Sequence, residues 1–189
     1  MMLLRYDELA AMPWKNGGGT TRELACEPPG AVLDAFAWRV SIADVAASGP
    51  FSHFPGIERV IMLLDGEGMT LNIGGDRAHD LTAPLTPFRF AGEDAVDARL
   101  AGGACRDFNL MMRRGRVDGG IDVWRTDADV DAADGHVLFH CAGGRWEIGG
   151  TAIAAGDTLR ADAPRSLALR MHAPGALIGV RIVPCKEAS

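Results

Sequence analysis

The sequence predicts a mainly β protein, built from two small antiparallel β-barrels and containing little helix. Short apolar segments recur at intervals of roughly ten residues, and Gly, Pro and Asp separate them. Many short strands with regularly spaced turn residues are typical of β-barrels and β-sandwiches. Helical periodicity is confined to residues 6–12 and to one turn near 44–47.

An internal repeat favours two barrels over one. Segment 60–75 consists of an apolar strand, a glycine turn, a second strand and a Gly-Gly pair, and segment 137–150 has the same order. A repeat distance of about 75 residues is too long for a solenoid and suits a duplicated barrel. We expect one barrel over 1–114, carrying a ligand pocket, and a second over 115–189, together in a single compact unit.

Composition and charge exclude several classes of protein. With 48% hydrophobic and 23% charged residues, the chain is typical of soluble globular proteins. Its net charge of −6 includes no basic stripe, so nucleic acid is not expected as a direct partner. The four isolated cysteines predict reduced thiols. Because the longest apolar run, 60–64, is too short for a membrane span, we expect a cytoplasmic protein with no membrane partner.

The stretch 13–23 concentrates chemically active groups around three consecutive glycines. Glycine permits positive φ and lets backbone N–H groups approach a ligand closely. Lys15 precedes the glycines, whereas the lysine of a phosphate-binding P-loop follows them, which excludes that motif. The alternative interpretation is a flexible turn with a buried tryptophan. The stretch supplies six candidate binding residues: Trp14, Lys15, Asn16, Gly17, Gly18 and Thr20.

Segments 36–42 and 107–112 alternate apolar with other side chains, as a strand with two different faces does. If their second faces line a barrel mouth, they form the polar floor of a pocket; otherwise they face solvent. The polar residues concerned are Arg39, Ser41, Asp107 and Asn109.

The segment 49–59 contains two prolines and ends just before an apolar strand, so it predicts a rigid recognition loop. Arg59 has a planar guanidinium that can hold a carboxylate through two parallel hydrogen bonds. Its alternative role is a salt bridge at the rim with Glu58 or Asp65. The loop adds three further candidate residues: Phe51, Ser52 and Phe54.

Metal and nucleophile motifs are not evident. The five histidines are scattered without a His-x-His pair, and His136 and His140 lie too far apart on a strand to share one ion. The sequence also has no Gly-x-Ser-x-Gly nucleophile elbow. We therefore expect no metal, no cofactor and no assigned catalytic residue.

Four motifs in order, within 12–23, 38–41, 49–59 and 107–111, resemble those of the HutD/Ves family. The resemblance runs from near the N-terminus to about Arg114, and beyond it extends mainly to length and β character. It implies a bicupin, with two jelly-roll barrels in one chain. Many cupins are metal enzymes that use two closely spaced histidines, a carboxylate and a third histidine. Both halves of this chain depart from that pattern, which argues against such chemistry.

The resemblance further implies a non-enzymatic protein linked to bacterial histidine utilisation, or, in the Ves branch, to cold and environmental stress. Our leading hypothesis is a regulatory protein that senses a small carboxylate such as formylglutamate or urocanate. Lys15, Arg39 and Arg59 would meet its carboxylates. The alternatives are a metal-independent cupin enzyme acting on a small carboxylate or amino-acid derivative, with Lys15 or Asp107 as acid or base, and a protein-interaction module. The sequence leaves open whether the protein turns over a substrate, although a non-enzymatic role is favoured. It also leaves open whether the chain forms a homodimer.

Overall fold

The computed structural model describes residues 1–32, 35–161 and 165–185. Nearly all of their regular structure is β, which confirms the predicted fold class. The strands, in chain order, are β1 Met2–Arg5, β2 Met12–Pro13, β3 Gly19–Glu27, β4 Trp38–Val45, β5 Gly49–Pro50, β6 Ile57–Asp65, β7 Met69–Ile73, β8 Arg77–Leu81, β9 Phe88–Ala91, β10 Val96–Leu100, β11 Cys105–Arg113, β12 Val117–Trp124, β13 Ala128–Val130, β14 His136–Cys141, β15 Arg145–Ile148, β16 Thr151–Ala154, β17 Asp157–Arg160, β18 Leu167–Ala173 and β19 Leu177–Pro184.

Helical structure is limited, within the described ranges, to two 3-10 turns at Tyr6–Glu8 and Ala132–Asp134. The helical periodicity over 6–12 therefore yields a single turn, because Leu9 is already extended and β2 follows at once. The turn predicted near 44–47 is wrong at its start, since Asp44 belongs to β4. No helix in the described part of the chain is long and apolar enough to cross a membrane.

The chain divides into two units. One is continuous, Ala10–Arg116, and the other combines Val117–Ser189 with Met1–Leu9. The predicted division at 114/115 lies two residues before the one in the structure, and the first nine residues group with the second unit instead of the first. The cause is β1, which pairs antiparallel with β17 along the edge of a sheet in the second unit.

The continuous unit contains two sheets, with strand orders β2-β3-β4-β11-β6-β9 and β5-β10-β7-β8. Alternate residues of β6 and β7 point into a shared core, as the period of two in a strand requires. This core contains buried side chains from both sheets: Ala43, Val45, Ile61, Leu63, Met69, Leu71, Ile73, Leu81, Phe90, Val96, Ala98 and Cys105.

The other unit repeats this arrangement, with strand orders β12-β19-β14-β17-β1 and β13-β18-β15-β16. Its core surrounds the fully buried Trp146 and Phe139. The strand orders of the two units correspond, because β4-β11-β6-β9 matches β12-β19-β14-β17 and β5-β10-β7-β8 matches β13-β18-β15-β16. The internal repeat detected between 60–75 and 137–150 is therefore the equivalence of the hairpins β6-β7 and β14-β15.

Candidate functional site

Polar residues of three adjacent strands share one face of the six-stranded sheet. In β11, Asn109 lies opposite Ser41 of β4, and Met111 lies opposite both Arg39 of β4 and Arg59 of β6. Directly paired residues point to the same side of a sheet, and so do residues two apart on one strand. The face also carries core residues of the unit, such as Ile61 and Leu63, so it is the interior face.

The five polar residues on this face are all buried, with exposed fractions between 1% and 8%. The alternative of a solvent-exposed face for segments 38–42 and 107–112 is therefore wrong. Buried polar groups are costly unless they are paired, so their hydrogen bonds determine what the site can do. The five residues are Arg39, Ser41, Arg59, Asp107 and Asn109.

Arg59 lies at the centre of the cluster. Its guanidinium carbon is 4.9 Å from the ring centroid of Phe90, 5.2 Å from that of Phe51 and 5.7 Å from that of Phe54. Aromatic faces attract a cation without replacing its hydrogen bonds. Its Nη2 donates to Oδ1 of Asn109 at 3.0 Å, whereas its buried Nε has no hydrogen-bond partner. The guanidinium is thus desolvated and only partly satisfied.

The salt bridge predicted as an alternative for Arg59 is not formed. Glu58, on the opposite face of β6, instead lies 3.9 Å from Arg89 and 3.7 Å from Arg114. The negative charge that acts on Arg59 is instead that of Asp107, on the interior face.

Asp107 is the second charged group of the network. Nδ2 of Asn109 donates to its Oδ1, so the Asn109 amide bridges the carboxyl group and the guanidinium. Burial raises the pKa of Asp107 to about 7, although the charge of Arg59 and the Asn109 hydrogen bond both lower it. Burial also lowers the pKa of Arg59 to about 10. Near neutral pH, Arg59 is therefore charged while Asp107 titrates.

Arg39 has a carboxylate of its own. Its Nε donates to Oε2 of Glu23 at 2.7 Å, and Glu23 lies in β3 opposite Ser41. Glu23 and Phe90 were not among the candidate residues predicted from the sequence. Glu23 belongs to the motif 12–23 and could have been included on that ground, whereas the contact of Phe90 with Arg59 depends on the pairing of β9 with β6.

The glycine-rich stretch forms the hairpin β2-β3. Nε1 of Trp14 donates to Oγ1 of Thr21 at 2.8 Å, and the indole packs against the core of the unit. Oδ1 of Asn16 accepts from the Gly18 amide at 3.0 Å, which closes the turn together with Gly17 at φ 71°. The role predicted for Trp14 as an apolar wall of the pocket stays a prediction, since the indole contacts Thr21 and the core. The side-chain oxygen of Asn16 therefore makes its hydrogen bond within the turn.

The structure does not bring all the candidate residues into the buried network. The side chains of Lys15, Asn16 and Ser52 are exposed, as is Gly17, and Thr20 is half-buried. Gly18 is buried, but its carbonyl accepts from the amides of Ala46 and Ala47. Phe51 and Phe54 are half-buried beside Arg59. The compact site therefore comprises the five buried polar residues and the three phenylalanines.

The other unit has a different polar cluster in the corresponding place. His136 of β14 pairs with Arg181 of β19, as Arg59 of β6 pairs with Met111 of β11. Oδ2 of Asp122 accepts from Nε of Arg181 at 2.7 Å and lies 3.0 Å from Nε2 of His136. The sequence did not predict this cluster, because Asp122 and Arg181 lie on strands whose pairing is non-local.

Trp124 is half-buried and packs against the core of this second unit. Its ring lies against those of His136 and Phe139, at centroid distances of 5.3 and 6.1 Å. It also occupies the space that a side chain at Gly179 would need. The register places Gly179 where the first unit has Asn109, so the amide that orients Arg59 has no equivalent here.

We expect His136 to make the protein lose stability in acid. Burial lowers its pKa, against the opposing effect of Asp122, so the unfolded chain binds the proton more readily. The stabilising contribution of neutral His136 is complete above the unfolded pKa of about 6.5 and is lost as the pH falls below it, by about 1.4 kcal/mol per unit of pKa difference. Urea unfolding at pH 7.5 and 5.5 should show a smaller acid loss for His136→Gln than for the wild type. The exposed control His53→Gln should keep the wild-type loss; equal losses for both variants would contradict the assignment.

Comparisons with known proteins agree with this architecture. An oxalate decarboxylase from Lactobacillus farciminis aligns with a TM-score of 0.64 over 97% of this chain and 88% of its own, at 8% identity, which shows the fold alone. Two jelly-roll units in one chain define a bicupin. More specifically, the chain belongs to the HutD family, whose model matches residues 6–178.

Individual relatives support the same membership. A protein of Pseudomonas putida, described as an uncharacterised 21.2 kDa protein in the hutC 3′ region, is 48% identical over 148 residues, which is 78% of this chain and 77% of the relative. Protein Ves of Citrobacter koseri is 39% identical over 80% of each chain. HutD from Pseudomonas fluorescens SBW25, solved in a formate condition, is 31% identical with a TM-score of 0.87, over 98% of this chain and 99% of that one.

The residues of this chain do not fit the metal centre that is common among cupins. No group of three His, Cys, Asp or Glu side chains within the described ranges could hold a metal ion. The interior face of the first unit presents Arg59 and Asn109 beside Asp107, and a buried guanidinium repels a metal cation. This arrangement suits an anion.

Proposed function

We propose that the unit Ala10–Arg116 binds a small carboxylate at Arg59, and that the protein is a ligand-binding regulator of histidine utilisation. The observation that carries the proposal is the buried guanidinium of Arg59, whose Nε lacks a hydrogen-bond partner and whose charge lies among three aromatic rings. Replacing a whole buried ion pair, here Arg59 with Asp107, by apolar residues is often neutral or stabilising, so stability alone does not explain this arginine.

The guanidinium geometry favours a carboxylate over other anions of similar size. Nε and an Nη form one edge of a planar fork, whose spacing matches the two oxygens of a carboxylate. Nη2 already donates to Asn109, which holds the plane of the group in place. Nε is buried, and three phenylalanine rings lie around the guanidinium carbon, so a charge-assisted hydrogen bond there is stronger than in water.

The relatives connect this chemistry with a pathway. The Pseudomonas putida relative is described by its position near hutC, and the Pseudomonas fluorescens HutD was solved in a formate condition. Formate is the smallest carboxylate. Formylglutamate and urocanate, which the family resemblance implies, are the first two compounds to examine.

The proposal is tested by a ligand screen with urocanate, histidine, formiminoglutamate, formylglutamate and glutamate, followed by calorimetry of any compound that raises the melting temperature. A ligand present at about a hundred times its Kd should stabilise the protein by about 2.7 kcal/mol. Arg59→Ala should weaken that ligand by about 1.5–3 kcal/mol, the value of a hydrogen bond to a charged group.

Arg89→Ala is the matched control, because Arg89 lies on the neighbouring β9 with a side chain that is 44% exposed. Its affinity for the ligand should equal that of the wild type. A ligand that binds Arg59→Ala as tightly as the wild type would remove Arg59 from the site.

A second candidate function is a metal-independent enzyme acting on the same class of compound. Asp107 favours it, because a carboxyl group with a pKa of about 7 is suited to general acid–base catalysis. Chromatography of each mixture after incubation separates the two functions. Conversion that is lost in Asp107→Asn would support the enzyme, and binding with unchanged ligand would support the regulator.

A further inference from the structure

We infer that a carboxylate at Arg59 is bound together with a proton, which Asp107 takes up as the ligand enters. The site would then receive the anion and the proton as a neutral pair. This inference rests on the proposed function, since it requires the ligand carboxylate to contact Arg59.

Arg59 and Asp107 are linked through one side chain, that of Asn109. The Asn109 amide contacts both, accepting from Arg59 through Oδ1 and donating to Asp107 through Nδ2. Asp107 is 1% exposed and Arg59 is 8% exposed, so solvent screens neither charge effectively. A ligand oxygen at Arg59 therefore lies one amide side chain away from the Asp107 carboxyl group.

Other titratable and charged groups also surround Asp107. On β4, Asp44 adds a negative charge that disfavours ionisation of Asp107. Also on β4, Arg39 is paired with Glu23 of β3, and its charge acts on Arg59, whose pKa it lowers. On β11 itself, Cys105 is a buried thiol whose pKa is raised to about 11, so it is neutral. The facing sheet contributes apolar residues to this core: Met69, Leu71, Ile73, Leu81, Val96 and Ala98.

A bound carboxylate would change the balance of charge between Arg59 and Asp107. Without ligand, the single positive charge of Arg59 faces the single negative charge of Asp107. A bound carboxylate would add a second negative charge beside the same guanidinium, and two carboxylates in a dry site do not both stay ionised. Asp107 is the group that accepts the proton, because its burial has already brought its pKa to about 7.

The proton has a defined place. Oδ1 of Asp107 accepts from Asn109, so the proton resides on Oδ2. A protonated carboxyl group becomes a hydrogen-bond donor and can donate to an oxygen of the ligand. No bond other than this O–H forms, and the proton comes from the buffer.

Calorimetry with sodium formate as the probe tests the inference. Titrations at pH 8 in phosphate and in Tris, whose ionisation enthalpies differ, give the number of protons taken up. We expect uptake approaching about one proton at pH 8 and falling towards zero at pH 5.5, where Asp107 already carries its proton. Above the Asp107 pKa of about 7, formate affinity should fall with rising pH, approaching about tenfold for each further pH unit.

Two variants identify the group that takes up the proton. Asp107→Asn keeps the shape of the side chain and cannot titrate, so its formate affinity should not change with pH and its proton uptake should vanish. Asp44→Asn is the control, because Asp44 is the other carboxylate that influences Asp107 and is paired with Arg22 and Arg106 on the opposite face. It should keep the uptake seen in the wild type.

The outcomes separate this inference from the proposed function. Formate binding to the wild type without proton uptake would overturn the inference alone. Uptake that persists in Asp107→Asn would also overturn it, because another group would then carry the proton. Failure of formate to bind the wild type at pH 6 would overturn both the inference and the proposed function. The proton count of the wild type decides the question even if Asp107→Asn does not fold.

Discussion

Arg59→Met should lower the free energy of unfolding by about 3–5 kcal/mol at pH 8, the cost of leaving a buried charge without its partner. Methionine keeps an apolar side chain among the three phenylalanines, so the loss arises mainly from Asp107 and Asn109. Without the guanidinium, the pKa of Asp107 rises further, because Arg59 lowers it in the wild type. An acid whose folded-state pKa exceeds its unfolded value destabilises the protein as the pH rises, so the loss should be smaller at pH 6.

The double variant Arg59→Met/Asp107→Asn completes a mutant cycle. It should regain a large part of the loss at pH 8, because no charge then remains buried without a partner. Urea unfolding of the four proteins at pH 6 and pH 8 measures the coupling. Arg89→Met, on an exposed position of β9, should change stability by less than about 0.5 kcal/mol. Equal losses at both pH values, with additive effects in the double variant, would contradict the electrostatic pairing.

Gly68→Ala should be the second severe substitution, with a loss of about 2–4 kcal/mol. Gly68 lies between β6 and β7 at φ 82°, a conformation that alanine adopts only with strain. A Cβ there would also overlap the backbone carbonyl of Leu81, which belongs to β8 and cannot move without shifting that strand.

Gly75→Ala separates the effect of backbone strain from that of steric overlap with the Leu81 carbonyl. Gly75 has nearly the same backbone conformation, φ 85°, but an added Cβ would meet nothing within 4 Å. Only the conformational strain remains, so the expected loss is about 1–2 kcal/mol. Thermal and urea unfolding of both variants provide the comparison. Equal losses would show that the carbonyl of Leu81 adapts to the added methyl group.

The sequence predicted those parts of the site that lie on single strands. Alternation in 38–42 and 107–112 placed Arg39, Ser41, Asp107 and Asn109 on polar faces, because side-chain direction in a strand depends only on local order. The alternation could not show whether these polar faces are buried. That depends on the second sheet, whose strands are distant in sequence and whose core residues close the unit.

Lys15 shows a second limit of prediction from sequence, which concerns the direction of side chains in a turn. Its place before three glycines predicted an anion contact, yet the hairpin uses the glycines and Asn16 to close its own turn and leaves the lysine side chain exposed. The chemistry of a motif does not reveal the direction in which a tight turn projects each residue. Trp14, which packs on the core, is the part of the motif that anchors the hairpin to the unit.

The internal repeat predicted two similar units but not their different interiors. In the second unit, Gly179 and Trp124 are diagonal neighbours across the β12-β19 pair, and the indole occupies the space that a side chain at Gly179 would need. The strand register that makes them neighbours cannot be read from the sequence of either strand alone.

Because β1 pairs with β17, the two units are completed at different times during translation. Every strand of the Ala10–Arg116 unit leaves the ribosome within one uninterrupted stretch, from β2 to β11. The other unit is completed only when β17, which pairs with β1, has been translated. A change in β1 would therefore act on this unit, which does not contain Arg59.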